Sequence, residues 1–401
     1  MLLARTPANN VWKMNAIRAL YWMHFVSSVL IPFYQDWGGI SFGGVLLINA
    51  WFMLWNFLLE VPTGTVADVF GRRASVALAF VVAAVGVVIY VSRPSFGVFL
   101  VAEVFLAAAM TLLSGADEAL VYDSLKAVHG ADEAALDRRA RVAIPRLESF
   151  KLAGILAGAL SGSLIAKHYG LTMPMKAWLG PIVLGFLVAL TLHEPPRSAD
   201  GGGSRPYRKV LLDGVRYFVD HAVLRLLALD MVVVASLSFM IIWMYQPFLA
   251  AAGVDLAWFG TVHAAMVVGQ ILVLANVSRL ESLLGSQKRL LLAAAMAAGA
   301  SFIVLGSTRF LPVVVVAILT AASFGLSRAV LFGAHFNRYI PSEKRATVLS
   351  TISMFRTIGI AVINPVVGFA ADFSLPATAV GLGVVLIGLS LVSGVEAKHL
   401  G

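Results

Sequence analysis

The 401-residue chain contains no cysteine, which excludes disulfides, thiolate metal sites and a cysteine nucleophile. It is also poor in charge. Only 30 Lys and Arg and 21 Asp and Glu are present, 13% of the residues, against about 25% in an ordinary soluble domain. That is roughly half of what a water-facing surface needs. Long polar stretches are missing too. The longest segment between apolar runs is about 30 residues, too short to fold a nucleotide-binding domain, and no Gly-x-x-x-x-Gly-Lys-Ser/Thr sequence occurs. The eight histidines lie scattered, without metal-ligand spacing, and no nucleophile motif accompanies them. No catalytic residue, metal site or cofactor is therefore expected, and an intramembrane enzyme is the least favoured class. The first residues lack the apolar core and small-residue cleavage site of a cleavable signal, so the first apolar run is expected to remain in the mature protein.

Apolar residues are abundant. They make up 60% of the chain, with a mean hydropathy of +0.88, and they fall in repeated blocks of about 20 to 28 residues. Bounding these blocks by charge, Gly and Pro predicts an all-α polytopic membrane protein with twelve transmembrane helices. One clear linker interrupts the series, from Leu192 to Lys209, where Pro195, Pro196 and Gly201 to Gly203 forbid a continuous helix. The expected organisation is a six-helix bundle over residues 1–193, a central cytoplasmic linker over 194–222 and a second six-helix bundle over 223–401.

Orientation follows from the basic residues of alternate loops. Twenty Lys and Arg fall on one side, while the other holds only Arg93, Lys167, Lys176 and Arg309. Both termini and the linker are expected in the cytoplasm, with the protein in the cytoplasmic (inner) membrane. The net charge of +9 is accounted for by these short clusters, so the lipid bilayer is the expected partner and nucleic acid is not.

The two halves read as copies, which predicts pseudo-symmetric bundles. SGADEALVYD from Ser114 in the fourth span matches FGLSRAVLFG from Phe324 in the tenth, setting Glu118 against Arg328 at an offset of 210. SFKLAG from Ser149 matches MFRTIG from Met354, setting Lys151 against Arg356 at an offset of 205. Six spans per half return the chain to the same side, so the repeat is parallel.

Between the second and third spans lies Glu60-Val-Pro-Thr-Gly64-Thr-Val-Ala-Asp68-Val-Phe-Gly71-Arg72-Arg73. Gly64 permits close helix approach, Gly71 a tight turn, and Asp68 can pair with Arg72 or with the positive end of a helix. This stretch resembles the G-x-x-x-D-x-x-G-R-[RK] signature of the major facilitator superfamily, and the resemblance extends over the span count, the repeat and the linker. It implies a monomeric secondary transporter working by alternating access, and a cytoplasmic charge relay in which Asp68 and Arg72 join an acid at the end of the fourth span, here Asp123. Glu281 to Arg289 in the second half keeps the glycine and the basic residues of the signature without the aspartate. Two departures from exporter patterns stand out. The fifth span has Gly154, Gly158 and Gly162 without the Gly-Pro pair of many drug exporters, and glycines at that spacing favour helix packing. The fourth span lacks the exporters' arginine and carries acids instead.

Ionisable residues inside spans cost at least ~2.5 kcal/mol each on insertion scales and most often face a partner or a water-filled cavity. Glu60, Asp117, Glu118, Lys151, Arg328 and Arg356, together with the motif residues Asp68, Arg72 and Asp123, form the expected coupling and gating set. In it Asp117 and Glu118 would face Arg328 or Arg356. Glu103 and Asp230 are expected to be structural. The substrate cavity is expected to draw on Tyr21, His24, Trp55, Trp243, Gln246, His263, Gln270 and Asn364, aromatic and polar residues suited to a flat organic molecule. The favoured activity is proton-coupled efflux of drug-like or amphipathic metabolites, with a small organic substrate and protons as partners. The alternative is an organic-anion or nutrient porter, supported by the cations Lys151, Arg328 and Arg356.

Overall fold

The computed structural model describes residues 4–130, 132–195, 215–341 and 345–396. The greater part of the expected central linker, including Gly201 to Gly203, lies outside the described residues. Every regular element among them is helical. Eleven helices are long and apolar enough to cross a membrane: α1 (Pro7–Trp37), α2 (Phe42–Phe70), α3 (Arg72–Ser92), α4 (Phe96–His129), α5 (Glu133–Tyr169), α6 (Met173–Leu190), α7 (Ala222–Ala251), α8 (Leu256–Ala275), α9 (Gln287–Ser307), α10 (Leu311–Gly333) and α11 (Thr347–Val392). The last contains two of the twelve apolar runs. Its backbone leaves the helical region at Ser374 (φ −160°, ψ 103°), two residues before Pro376, and the Ser374 hydroxyl accepts the Ala377 N–H at 3.2 Å. A serine cap followed by proline in the first turn is a helix start, so the sequence marks a new span although the chain barely pauses.

The chain forms two compact units. Unit 1 comprises residues 1–40 and 51–203, and unit 2 comprises 41–50 and 204–401. The division therefore passes through α2, whereas the sequence pattern divides the chain only at the central linker.

In unit 1, α5 presents Gly154, Gly158 and Gly162 to α1. A methyl group at Gly154 or Gly162 would overlap the carbonyl oxygen of Ala19 or Phe25, and one at Gly158 would stand 3.0 Å from the backbone nitrogen of His24. Helix packing is thus what these glycines do. The helix they receive is irregular: α1 passes from an α-helix (Pro7–Tyr21) through a 3₁₀ turn (Phe25–Val29) to a π-turn (Phe33–Trp37) that follows Pro32. Cations satisfy the C-terminus of α6. Arg5 and Arg73 each donate a guanidinium N–H to the Leu190 carbonyl, at 3.0 and 2.9 Å, and the Lys13 ammonium donates to Thr191 at 2.6 Å.

In unit 2, α9 and the second arm of α11 pack through small residues. A methyl group at Gly299 would meet the Gly383 carbonyl at 2.9 Å, and one at Gly383 would overlap the carbonyl of Gly299. Leu224, Leu227, Leu290, Leu291, Phe332 and Val348 belong to one apolar core. The segment 41–50 joins this unit through polar contacts. Asp372 accepts from the Ser41 hydroxyl at 2.8 Å and from the Gly43 N–H at 3.0 Å, a carboxylate at the positive end of a helix. Asn364 donates its side-chain amide to the Asn49 side-chain oxygen at 2.6 Å.

The glycine seat generates a first prediction. Gly162→Val should lower the thermal midpoint of the purified protein by the equivalent of about 1–3 kcal/mol or more. Gly180→Ala, where a methyl group meets open space, should leave it level or slightly raised. Equal midpoints for the two variants in detergent unfolding scans would show that α1 does not need the close approach.

Candidate functional site

Charge inside each unit is organised around one buried ion pair. In unit 1, Arg18 on α1 and Asp117 on α4 stand 2.5 Å apart with side chains 12% and 1% exposed. Asp117 also accepts the Glu118 backbone N–H at 2.6 Å. In unit 2, Arg328 on α10 and Asp230 on α7 stand 2.6 Å apart, 5% and 6% exposed. Arg328 further donates its Nε–H to the Leu291 carbonyl at 3.2 Å and lies 4.9 Å from the Phe332 ring centre.

These pairs are repeat-related with the signs exchanged. Arg18 and Asp230 are 212 residues apart, and Asp117 and Arg328 are 211 apart. The partner of Arg328 in the repeat is thus Asp117 rather than Glu118, one position from the sequence alignment. Both pairs also follow a break in their helix. The α4 helix is interrupted at Gly115–Ala116 just before Asp117, and α10 has a π-turn over Ala321–Gly325 just before Arg328. Gly115 and Gly325 are 210 residues apart.

Asp117 and Arg328, two members of the expected gating set, each have an ion-pair partner inside their own unit. Glu118, Glu60 and Arg356 are exposed on their helices. None of the three has an ion pair among the described residues. Lys151 pairs with Glu148 three residues earlier at 2.8 Å and sits 4.6 Å over the Trp22 ring.

The loop motif is built differently from the expected relay. Arg72 pairs with Asp123 and also donates to the Ala119 carbonyl, but Asp68 is exposed and forms no hydrogen bond or ion pair among the described residues. The acid at the start of α3 is Glu194, which accepts the backbone N–H groups of Arg72 and Arg73 at 2.9 and 2.7 Å. Gly71, at φ +98°, supplies the left-handed turn that aims those N–H groups.

The expected cavity residues fall into local clusters. In unit 1, His24 stacks on Trp22 (5.4 Å, 23°) and meets Trp178 edge-on at 4.2 Å. Tyr21 packs edge-on against Trp178 and Phe80. Trp55 meets Trp51 at 5.6 Å. In unit 2, Gln246 donates to the Tyr245 hydroxyl at 3.0 Å, and that hydroxyl contacts His263 Nδ1 at 2.9 Å. Trp243 is buried beside them in sequence, and Gln270 is half-buried on α8. Several buried polar atoms have no hydrogen-bond partner among the described residues: His24 Nε2, Trp55 Nε1, Trp243 Nε1 and Asn364 Oδ1. Among the described residues no group of three His, Cys, Asp or Glu is placed to hold a metal.

Sequence reasoning missed Arg18, Glu194 and the phenols around Glu103. Arg18 could have been found from the repeat, since a cation 212 residues before a buried aspartate was already in view. Glu194 carried no signal, because it sits in the expected linker and acts on a helix 122 residues away.

The sequence matches the profile of the Major Facilitator Superfamily over residues 16–364, and the chain belongs to that superfamily. Among solved structures it is similar to a crystal structure of the nucleoside transporter NupG, with 13% identity, a TM-score of 0.76, and coverage of 96% of this chain and 97% of that one. It is also similar to the POT family transporter PepTSo (14% identity, TM-score 0.69, 96% of each chain). A bacterial homolog of the human lysosomal transporter Spinster matches as well (16% identity, TM-score 0.67, 98% of this chain and 96% of that one). At these identities the likeness is one of fold. No curated protein matches by sequence. The chain is a multi-pass membrane protein with the architecture of a secondary transporter.

The ion pairs give the second prediction. Arg18→Met alone strands Asp117 in the interior and should cost about 3–5 kcal/mol, whereas Arg18→Met with Asp117→Leu should recover most of that loss. Asp230→Leu and Arg328→Met should behave alike in unit 2. Denaturant midpoints in detergent decide it, and a double variant as unstable as the single would remove the buried-pair account.

Proposed function

We propose that the chain is a proton-coupled exporter of amphipathic or drug-like organic molecules, working by alternating access in the cytoplasmic membrane with both termini inside. The observation that carries this reading is the coincidence of aromatic surface with unused hydrogen-bonding groups. Each unit contains an indole whose buried N–H finds no acceptor among the described residues, Trp55 in unit 1 and Trp243 in unit 2. An indole can only donate, and a desolvated donor without a partner costs about 1–3 kcal/mol. A flat molecule carrying acceptor oxygens or nitrogens would satisfy such groups while its rings lie against tryptophan and histidine.

Charge balance favours this substrate class over the organic-anion alternative. Arg328 is neutralised by Asp230, and Lys151 by Glu148. Of the three cations that would attract an anion, Arg356 alone has no ion pair among the described residues. An uncompensated positive cavity is what a dedicated anion porter would need.

The test uses inverted vesicles holding the protein, screened with cationic, neutral and anionic aromatic compounds. A proton gradient should drive accumulation of neutral or cationic compounds, and a protonophore should abolish it. Uptake indifferent to the gradient, or confined to anions, would overturn the reading. The orientation is tested with the same chain: an impermeant thiol reagent applied to whole cells should label Ser95→Cys and spare Asp132→Cys.

A further inference from the structure

Glu103 differs from the other deeply buried acids. Asp117 and Asp230 each face an arginine, but Glu103, 9% exposed on α4, faces two phenols and no cation among the described residues. Tyr90 of α3 donates to Glu103 Oε1 at 2.7 Å, and Tyr34 of α1 donates to the same oxygen at 3.1 Å. The two phenolic oxygens also contact each other. Tyr34 and Tyr90 are 3% and 1% exposed. An aromatic wall surrounds the group: Phe99 stacks on Tyr90 at 5.2 Å, with Phe33 and Trp37 beside it.

Three oxygens in mutual contact make three edges, and each edge needs one hydrogen. Two phenols supply two hydrogens and an ionised carboxylate supplies none. With Glu103 ionised, both phenols point at Oε1, and the edge between them holds two facing oxygens. A proton taken from water onto the carboxyl group provides the third hydrogen. The carboxyl O–H then donates to one phenol, that phenol donates to the other, and the second phenol donates back to the carboxyl group. The triangle closes with every edge filled.

We propose that Tyr34, Tyr90 and Glu103 form a proton-binding site in unit 1, with the π-turn of α1 that carries Tyr34 as the element that responds to its occupancy. The proposal deepens the proton-coupled reading and rests on it for the site's role in transport. A π-turn has one residue more than the regular helix and sits near competing arrangements, so loss of the third hydrogen has a backbone that can move in reply. The site lies near the start of α4, about 10 Å along the helix from Phe96. The pair Arg72–Asp123 belongs to the opposite end of the unit. The titratable and charged groups facing this region are few. Besides the site's phenols, Tyr34 and Tyr90, α1 offers Asp36 and α3 offers Arg93, both exposed and neither in hydrogen bond or ion pair with Glu103 among the described residues. The contact from α2 is Trp51, whose indole donates to the Leu100 carbonyl at 3.0 Å.

Infrared difference spectroscopy on the full chain in proteoliposomes tests the site without transport. A carboxyl C=O band should appear and vanish as pH is stepped. It should be absent in Glu103→Gln, and it should shift in frequency while persisting in Tyr34→Phe and Tyr90→Phe. A pH-indicator dye should register one proton fewer per chain in Glu103→Gln across the same steps. Absence of a titrating band in the native chain, or a band untouched by Glu103→Gln, would overturn the proposal. So would a band removed by sodium at constant pH, since the triangle would then hold a metal cation. If Glu103→Gln does not fold, the two phenol variants decide, because a carboxyl band indifferent to both lies elsewhere. A band that behaves as expected in a protein whose transport ignores the proton gradient would leave the site standing and end the coupled reading instead.

Discussion

The interaction on which each half depends is the buried ion pair joining its first helix to its fourth. An apolar environment charges several kcal/mol for every ion taken from water, and the loss is offset only when the partner is close and the remaining polar atoms are bonded. In both units the partner is close, Arg18 to Asp117 and Arg328 to Asp230, and Asp117 and Arg328 each gain one backbone hydrogen bond, while Arg18 Nε and Arg328 Nη1 have no hydrogen-bond partner among the described residues. Each pair lies directly beyond a break in its helix, at Gly115–Ala116 or in the π-turn ending at Gly325. Exchange of sign between the copies keeps the geometry of the repeat and leaves each pair neutral, so neither half carries a net buried charge at this depth.

Close packing without large side chains is the second constraint. Lipid is as apolar as leucine, so helices in a bilayer gain little from apolar burial against each other and more from near contact of backbones. The row Gly154, Gly158 and Gly162 allows α1 to lie against α5 although α1 is part 3₁₀ and part π. An irregular helix exposes backbone groups that lipid cannot satisfy. Seating it in a glycine channel removes those groups from lipid and lets the irregularity persist. Helix ends are handled by charge in the same spirit: Glu194 closes the start of α3, Asp372 the start of α2, and Arg5, Lys13 and Arg73 the end of α6.

Much of this was legible in the residues. Charge scarcity and apolar block length define a polytopic helical protein, and the repeat offset near 210 anticipates two related halves. Arg72 and Asp123, named together from the motif around Gly71, form an ion pair. What the sequence left open is direction. An ionisable residue in an apolar run has a depth but no facing, so Asp117 and Arg328 could be assigned to each other across the halves as easily as to partners on their own side. Asp68 looked bound because its spacing fits a signature, yet it is exposed, and the acid that touches the loop is Glu194. The partition of α2, with 41–50 in unit 2, was equally hidden, because it depends on Asp372 and Asn364 more than 300 residues away.

The buried acids divide by partner, and the division bears on what each can do. An aspartate held by an arginine is that arginine's counter-charge, and removing either leaves the other buried alone. Asp117 and Asp230 are therefore fixed parts of the frame, each bound to one cation in one geometry. Phenols make no such demand. They donate to a carboxylate and accept from a carboxylic acid with the same oxygen, so Glu103 can change its proton count without stranding a neighbour. A transporter must hold its helices rigid in one place and let an ion come and go in another. Arginine suits the first task and tyrosine the second, and the two kinds of partner stand at different depths of the same half.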